Sequence, residues 1–419
     1  MRKISKLILA ASIATGGLFS MGSTEAQASS AVQILLDGYP LSFSGDPIIM
    51  KGTTMVPFRS ISEAMGITVT WDQATKTITA IKDEGTESTQ VRLTLNNKQA
   101  IVNGSSIQLA VAPQAVQGNT LIPLSFFSQQ FGAAVGWNQA TKTVSITSPQ
   151  KKMYTLGFYA ISSFSEAANI PRFDSIGFGW SRIDENGRFT TTGKDFKLPL
   201  PAGDVTAESL VSNASSASTS PYLMVYSGDT KGELTKIVEN AEYRAQAITD
   251  MITTAKELQF EGILLDFEGL GLTTDKTLTQ TAFTVFVKEA DTAATAAGLK
   301  LSLALHPLNS SYQGYDYKAL GQLADELIIM AYDYQASPGN SKQPEPVDKV
   351  NEAIQLALKQ TDKDKLILGL NVYNENADSI STLIGLAKRY DLKGIAVWRL
   401  GLTTSDEWAS MQQSIEFKQ

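Results

Sequence analysis

The 419-residue chain has no cysteine and a single histidine, His306. The first absence excludes disulfides, thiolate nucleophiles, zinc fingers and lipobox acylation. The second argues against multi-histidine metal sites and Ser–His relays. Positive charge is also short: 35 Lys and Arg against 42 Asp and Glu leave a net −7. That sign disfavours a nucleic-acid partner or a polybasic membrane contact. No run beyond the N-terminus is long and apolar enough for a transmembrane helix, which needs about 20 such residues. What is present is a foldable composition, 43% hydrophobic and 18% charged, which leaves any chemistry to carboxylates, tyrosines, tryptophans and amides. Neither a cofactor nor a metal is expected.

Residues 1–28 read as an export signal. Arg2, Lys3 and Lys6 precede the apolar stretch Leu7–Phe19, and Ala26-Gln27-Ala28 supplies a small-x-small cleavage site. Cleavage leaves a net charge of −9 on a protein expected to be secreted, or held non-covalently at the cell surface. Exported without cysteine, such a chain must hold together by packing alone. A monomer is expected.

The chain then repeats itself with a gapless offset of 66 residues. Val56-Pro57-Phe58 answers Ile122-Pro123-Leu124, and Trp71-Asp72-Gln73-Ala74-Thr75-Lys76-Thr77 answers Trp137-Asn138-Gln139-Ala140-Thr141-Lys142-Thr143. Each copy reads as a short strand with an Asp/Asn-Gly turn, an amphipathic helix and a closing hairpin. Trp71 and Trp137 suit either a sugar-stacking surface or, the simpler reading, a core position between helix and hairpin. The repeated segments resemble the module named after the copper amine oxidase N-terminal (stalk) domain, over residues 31 to about 147. The resemblance implies a spacer or wall-facing role, and nothing in the repeat is suited to bind copper.

A polar linker around Ser148–Lys152 closes the module, so that 29–148 and 149–419 are expected to be separate domains. Eight strand-like runs follow: Tyr154–Tyr159, Ser175–Trp180, Tyr222–Tyr226, Gly262–Phe267, Lys300–Leu305, Glu326–Ala331, Leu366–Asn371 and Gly394–Trp398. Amphipathic helices lie between them, clearest at Ile237–Leu258, Leu278–Ala297, Pro346–Gln360, Ser379–Tyr390 and Ser405–Phe417. Eight strands alternating with helices predict an α/β chain built as a (β/α)8 TIM barrel behind a small duplicated α+β module. A doubly wound sheet would more often open with a glycine-rich first turn, which is missing.

Chemistry in such a barrel sits where strands end. The fourth strand exits through Leu264-Leu265-Asp266-Phe267-Glu268-Gly269. Side chains alternate along a strand, so Leu264, Asp266 and Glu268 share one face and Ile263, Leu265 and Phe267 the other. The first set is expected to face the barrel axis. Two carboxylates close together in a partly dry mouth do not both ionise readily, so one keeps a proton near neutral pH. A proton-holding acid in that position suits cleavage of a glycosidic bond.

Residues 153–419 resemble glycoside hydrolase family 18, whose fourth strand carries Asp-Gly-x-Asp-x-Asp-x-Glu. Glu261-Gly262, Asp266 and Glu268 fall on that pattern, while Leu264 replaces its middle acid and Glu261 its first. Met330-Ala331-Tyr332-Asp333 matches the sixth-strand motif, Trp398 the tryptophan ending the eighth, and Gly157-Phe158-Tyr159 the first strand. The wording of the first two strands is closer to the bacterial wall and spore-cortex branch than to large chitinases.

The resemblance implies retaining hydrolysis next to N-acetylglucosamine in peptidoglycan or chitin, with the substrate's acetamido group as nucleophile. It implies that Glu268 is the acid/base, that Asp266 orients the acetamido N–H and that Tyr332 binds its oxygen. Trp398 would floor the sugar site, with Asp333 and Tyr159 lining it. His306, ending the fifth strand, suits either a sugar contact or a structural place. Leu264 offers no proton where the family pattern has an acid, which motivates a second reading, a glycan-binding surface protein without catalysis. A metal-dependent hydrolase is disfavoured by the shortage of ligands.

Overall fold

The structure is a computed structural model and describes residues 32–83, 88–334 and 343–418. The export signal expected at 1–28 lies outside the described residues. Among them, no helix is long and apolar enough to cross a membrane.

The 66-residue offset recurs in the elements of the module. Strand Thr53–Pro57 and helix Phe58–Ala64 correspond to Asn119–Pro123 and Leu124–Gln130, and strand Thr68–Asp72 to Ala134–Asn138. The copies embrace rather than stand in line. Val56 pairs with its own counterpart Ile122, flanked symmetrically by Met55 with Pro123 and Pro57 with Leu121. The first strand, Gln33–Leu36, lies parallel to the last, Thr143–Thr147, so the module is closed by its own ends.

Ile61, Ile78, Phe127, Val144 and Ile146 fill the space between helices and hairpins. Trp71 packs against this cluster and Trp137 does not. Trp71 is half-buried and Trp137 is 45% exposed. Each indole Nε1 donates at 2.8 Å to a glutamine two residues on, Gln73 or Gln139. The core position expected for Trp137 is therefore not the one it takes.

The second half is a closed barrel of eight parallel strands: β1 Tyr154–Tyr159, β2 Ser175–Ile183, β3 Ser220–Ser227, β4 Gly262–Phe267, β5 Lys300–Leu305, β6 Glu326–Ile329, β7 Leu366–Asn371 and β8 Gly394–Trp398. Each pairs with the next in order, and β1 pairs with both β2 and β8, which closes the cylinder. Gly394 permits that closure, since a Cβ there would lie 1.8 Å from the Tyr154 carbonyl oxygen.

Two apolar layers follow from the period-two alternation of the strands. Phe158, Met224, Leu264, Ile328 and Ala396 fill the interior. Ile263, Leu265, Phe267, Leu303 and Leu368 pack outward against the helices. At the N-terminal end of the barrel Glu326, 1% exposed, accepts from Lys393 Nζ at 2.7 Å and from Ser302 Oγ at 2.8 Å.

The helices are α1 Ala207–Ser216, α2 Glu233–Glu239, α3 Ala241–Glu257, α4 Lys276–Ala296, α5 Tyr317–Leu323, α6 Val347–Leu358, α7 Ala377–Arg389 and α8 Ser405–Ser414. Three differ from the sequence reading. The helix expected over Ile237–Leu258 is broken at Asn240, whose side chain accepts the N–H groups of Glu242 and Tyr243 and starts a new helix. Helix α1, between β2 and β3, is not among the helices expected from the sequence. The last helix stops at Ser414 because Ile415–Glu416 pairs with Lys151–Lys152 of the linker.

Module and barrel touch through the first turn of the module. The Arg389 guanidinium donates to the carbonyls of Leu36, Tyr39 and Pro40 at 3.2–3.3 Å. Tyr39 Oη donates to Asp348 at 2.8 Å. Gly38 lies so close to α7 that a Cβ would meet Thr382 Oγ1 at 2.3 Å.

Candidate active site

The β3–β4 ladder runs one bond past Phe267: the Glu268 N–H donates to the Ser227 carbonyl at 2.7 Å. Glu268 therefore keeps the strand phase of Leu264 and Asp266, and all three face the axis. Leu264 is fully buried in the interior layer, where its Cδ1 would lie 3.2 Å from a Cβ on Gly177. Asp266 is 3% exposed, and its Oδ1 is buried without a hydrogen-bond partner among the described residues. Glu268, nearer the rim, is half-buried.

Burial, and then the neighbouring Glu268 charge, hold the Asp266 carboxyl well above the usual range. Burial, and then the Asp333 charge, push Glu268 up to about 7. A carboxyl with that affinity still holds its proton in about half of the molecules at neutral pH and can give it up and take it back, which is what a general acid needs.

Tyr332 and Asp333 follow the end of β6. Tyr332 is half-buried and packs on the interior layer, and Gly369 leaves room for its ring, since a Cβ there would stand 3.1 Å from Tyr332 Cε1. Its hydroxyl is pushed far up by burial and then by the Asp266 and Glu268 charges, so it remains a neutral donor beside the pair. Asp333 adopts φ 60° and turns its carboxylate towards Asn374, whose Nδ2 is 3.4 Å away. Trp398 ends β8, half-buried, edge-on to Phe158 with 5.0 Å between ring centres; the Trp398–Arg399 peptide is cis.

One expected residue lies elsewhere. Tyr159 is 2% exposed and belongs to the outer layer, its ring 5.4 Å from Phe178 and 6.2 Å from Trp180. The neighbour that does face the axis on β1 is Phe158, so the strand phase puts Tyr159 on the wrong side to line a sugar site. His306 stacks on Tyr312 at 4.1 Å, its Nε2 buried and unpartnered among the described residues. Burial lowers it to about 4, so the ring is neutral.

The sequence reading missed two tyrosines. Tyr226 pairs in register with Asp266, and burial, then the Glu268 and Asp266 charges, push it up to about 12. Its phase along β3, in step with Tyr222 and Met224, was the available signal. Tyr315 is buried beyond β5; its hydroxyl donates to the Phe267 carbonyl at 2.7 Å and accepts from the Leu270 N–H at 3.3 Å, bracketing Glu268. Nothing local in the sequence marks that contact, which spans 48 residues.

From Tyr226 a cleft of about 680 Å³ opens along the segment after β2, walled by Arg182, Asp184, Phe196, Lys231 and Glu233. Phe196 stacks on Tyr226 with ring centres 4.3 Å apart and continues the aromatic wall outward. Among the described residues no group of three or more acidic or histidine side chains could hold a metal ion.

Residues 137–381 match the model of the glycosyl hydrolases family 18, and residues 35–146 that of the copper amine oxidase N-terminal domain. A cortical fragment-lytic enzyme of Bacillus subtilis (strain 168) is 23% identical over 241 residues, 42% of this chain and 55% of that protein. One from Bacillus anthracis is 27% identical over 202 residues, 43% of this chain and 46% of that protein. The chain thus spans about half the length of the curated relatives it matches. Among solved structures, the Bacillus cereus spore cortex-lytic enzyme SleL superposes with a TM-score of 0.52 at 18% identity, covering 65% of this chain and 77% of that one. A chitinase from Chromobacterium violaceum gives the same TM-score at 20% identity, covering 62% and 98%. At these identities the superpositions speak to the fold alone.

Proposed function

The chain belongs to the family 18 glycosyl hydrolases, and we propose that it is an exported glycosidase cutting β-1,4 links next to N-acetylglucosamine in peptidoglycan or chitin. The observation that carries this reading is the Asp266/Glu268 pair, two axis-facing carboxyls at the end of β4 whose shared burial keeps a proton at neutral pH.

Glu268 gives its proton to the glycosidic oxygen as the bond to the anomeric carbon breaks. The acetamido carbonyl oxygen of the same sugar attacks that carbon and forms an oxazolinium ion. With the pair's single proton on Glu268, Asp266 is the charged partner: it accepts the acetamido N–H and stabilises the cation. The Tyr332 hydroxyl hydrogen-bonds the acetamido oxygen and holds it for attack. Water then opens the ring, returning its proton to Glu268, and the anomeric configuration is retained. Trp398 stacks on the apolar face of the sugar, and Asp333 bounds the same subsite.

Wild type and Glu268→Gln assayed on chitooligosaccharides and purified wall sacculi test the reading. Product from wild type alone is expected. Equal, background-level product from both, with tight binding to the polymer, would support instead the non-catalytic reading that Leu264 motivates.

A further inference from the structure

β6 ends at Ile329, so the stretch from Met330 to Tyr334 reaches the rim beyond the strand itself. Buried backbone donors need partners, and all five N–H groups have them. Met330 donates to Leu305 O at 3.0 Å, Ala331 to Ile329 O at 2.9 Å and Tyr332 to Met330 O at 2.9 Å. The last two converge on one side chain: Asp333 donates to Glu345 Oε1 at 3.0 Å and Tyr334 to Glu345 Oε2 at 3.3 Å.

Glu345 is 6% exposed, and no cation pairs with it among the described residues. An acid so buried without a counter-ion is rare, and its site is built entirely of N–H donors. Asn374 Nδ2 adds a third bond to Oε1 at 3.2 Å while also reaching Asp333 Oδ1. The Glu345 N–H in turn donates to Glu375 Oε1 at 3.1 Å, and Glu375 is equally buried. Between the clamp and the strand, Asp333 holds φ 60°, a conformation that residues with a side chain adopt only when their surroundings impose it.

We propose that Glu345 is the positioning residue of the catalytic rim: by gripping the turn at Asp333 and Tyr334 it fixes the Tyr332 hydroxyl and the Asp333 carboxylate against the Asp266/Glu268 pair, with Asn374 and Glu375 as braces. The assignment rests on the glycosidase reading of the same site. It gives a task to a residue that lies 12 positions past Asp333, outside every sequence motif of the chain. A glutamine at 345 keeps the shape but has one acceptor oxygen, and its NH2 would face one of the two N–H groups it should receive.

The test uses the full chain with Glu345→Gln, Asp333→Asn and the double variant. Glu345→Gln is expected to lower kcat roughly 10²-fold, as small misplacements of reacting groups do, with KM nearly unchanged. The loss should be much smaller in the Asp333→Asn background, because Glu345 is proposed to act partly through the placement of the Asp333 carboxylate, which that variant already lacks. Amide hydrogen exchange at 333 and 334 should quicken by about tenfold or more, while the barrel strands keep their protection. Unchanged kcat and unchanged exchange at 333–334 would overturn the proposal; so would exchange that rises equally throughout the barrel, the mark of a merely structural acid. Should Glu345→Gln fail to fold, Asn374→Ala carries the same two readouts. Should wild type be no more active than Glu268→Gln, the glycosidase reading fails, and exchange at 333–334 alone decides whether Glu345 holds the turn.

Discussion

The Tyr315 hydroxyl donates to the Phe267 carbonyl at 2.7 Å, one residue before Glu268, and takes the Leu270 N–H two residues after it. One phenol from beyond β5 thus ties down both flanks of the proposed acid. Tyr315→Phe removes the tie while keeping the packing, leaving a buried carbonyl and a buried N–H unpaired. The expected loss is about 1–3 kcal/mol of stability, with kcat falling more than KM changes. Thermal melts and steady-state kinetics check it, and a variant equal to wild type in both would deny Tyr315 this role.

Activity should fall as pH rises through about 7, where Glu268 loses its proton. The charged or titratable groups around it are Asp266, Asp333, Tyr226, Tyr332 and Tyr315. Asp333→Asn removes a negative charge, so Glu268 ionises more easily and the basic limb moves to lower pH. The limb does not fall to the ordinary value, because burial is the larger cause. A limb that moves upward would contradict the sign.

The same acid links stability to pH. Glu268 ionises near 4.5 when unfolded and near 7 when folded, so the folded state binds the extra proton between these values. Its contribution is complete below pH 4.5 and is lost as pH rises through 7. Glu268→Gln does not titrate. Its stability relative to wild type should therefore be greater at pH 8 than at pH 4, by up to about 3 kcal/mol. Denaturant titrations at the two pH values measure the difference.

At the far end of the barrel, Lys393→Met leaves Glu326 buried with Ser302 as its one remaining side-chain donor among the described residues. Breaking one side of such a pair costs about 3–5 kcal/mol, somewhat less here because Lys393 is 26% exposed. The melting temperature should drop clearly at pH 7, while kcat of the folded fraction stays within about twofold, the pair lying away from the rim. Unchanged melting would show that the pair contributes little.

Arg389→Ala tests the docking of the module. It removes three hydrogen bonds to carbonyls of the first module turn. Calorimetry is expected to resolve a separate, earlier transition for residues 32–147, and trypsin to cut faster at Lys151 and Lys152. A single unaltered transition would mean that the remaining contacts suffice.

Much of this was legible in the sequence because it depends on short periods. A strand alternates every second residue, so eight apolar runs, and the shared phase of Leu264, Asp266 and Glu268, can be read without coordinates. A duplication keeps its offset, so 66 residues in sequence became 66 residues in structure. The errors have a common source. Tyr159 enters through the family resemblance and Trp137 through residue type, yet which face of β1 looks inward, and where an indole beside a hairpin settles, depend on neighbours far along the chain. The helix over Ile237–Leu258 looked continuous because one Asn cap inside it does not disturb the apolar spacing.

The chain alone determined its two halves, the barrel and the position of the carboxylate pair, since these follow from local pattern and motif. Only the tertiary structure decided what surrounds that pair: Tyr226 in register with Asp266, Tyr315 bracketing Glu268, and Glu345 gripping the turn at Asp333. Those contacts join strands and loops distant in sequence, and the burial that holds the proton on Glu268 does not exist until the barrel closes around it.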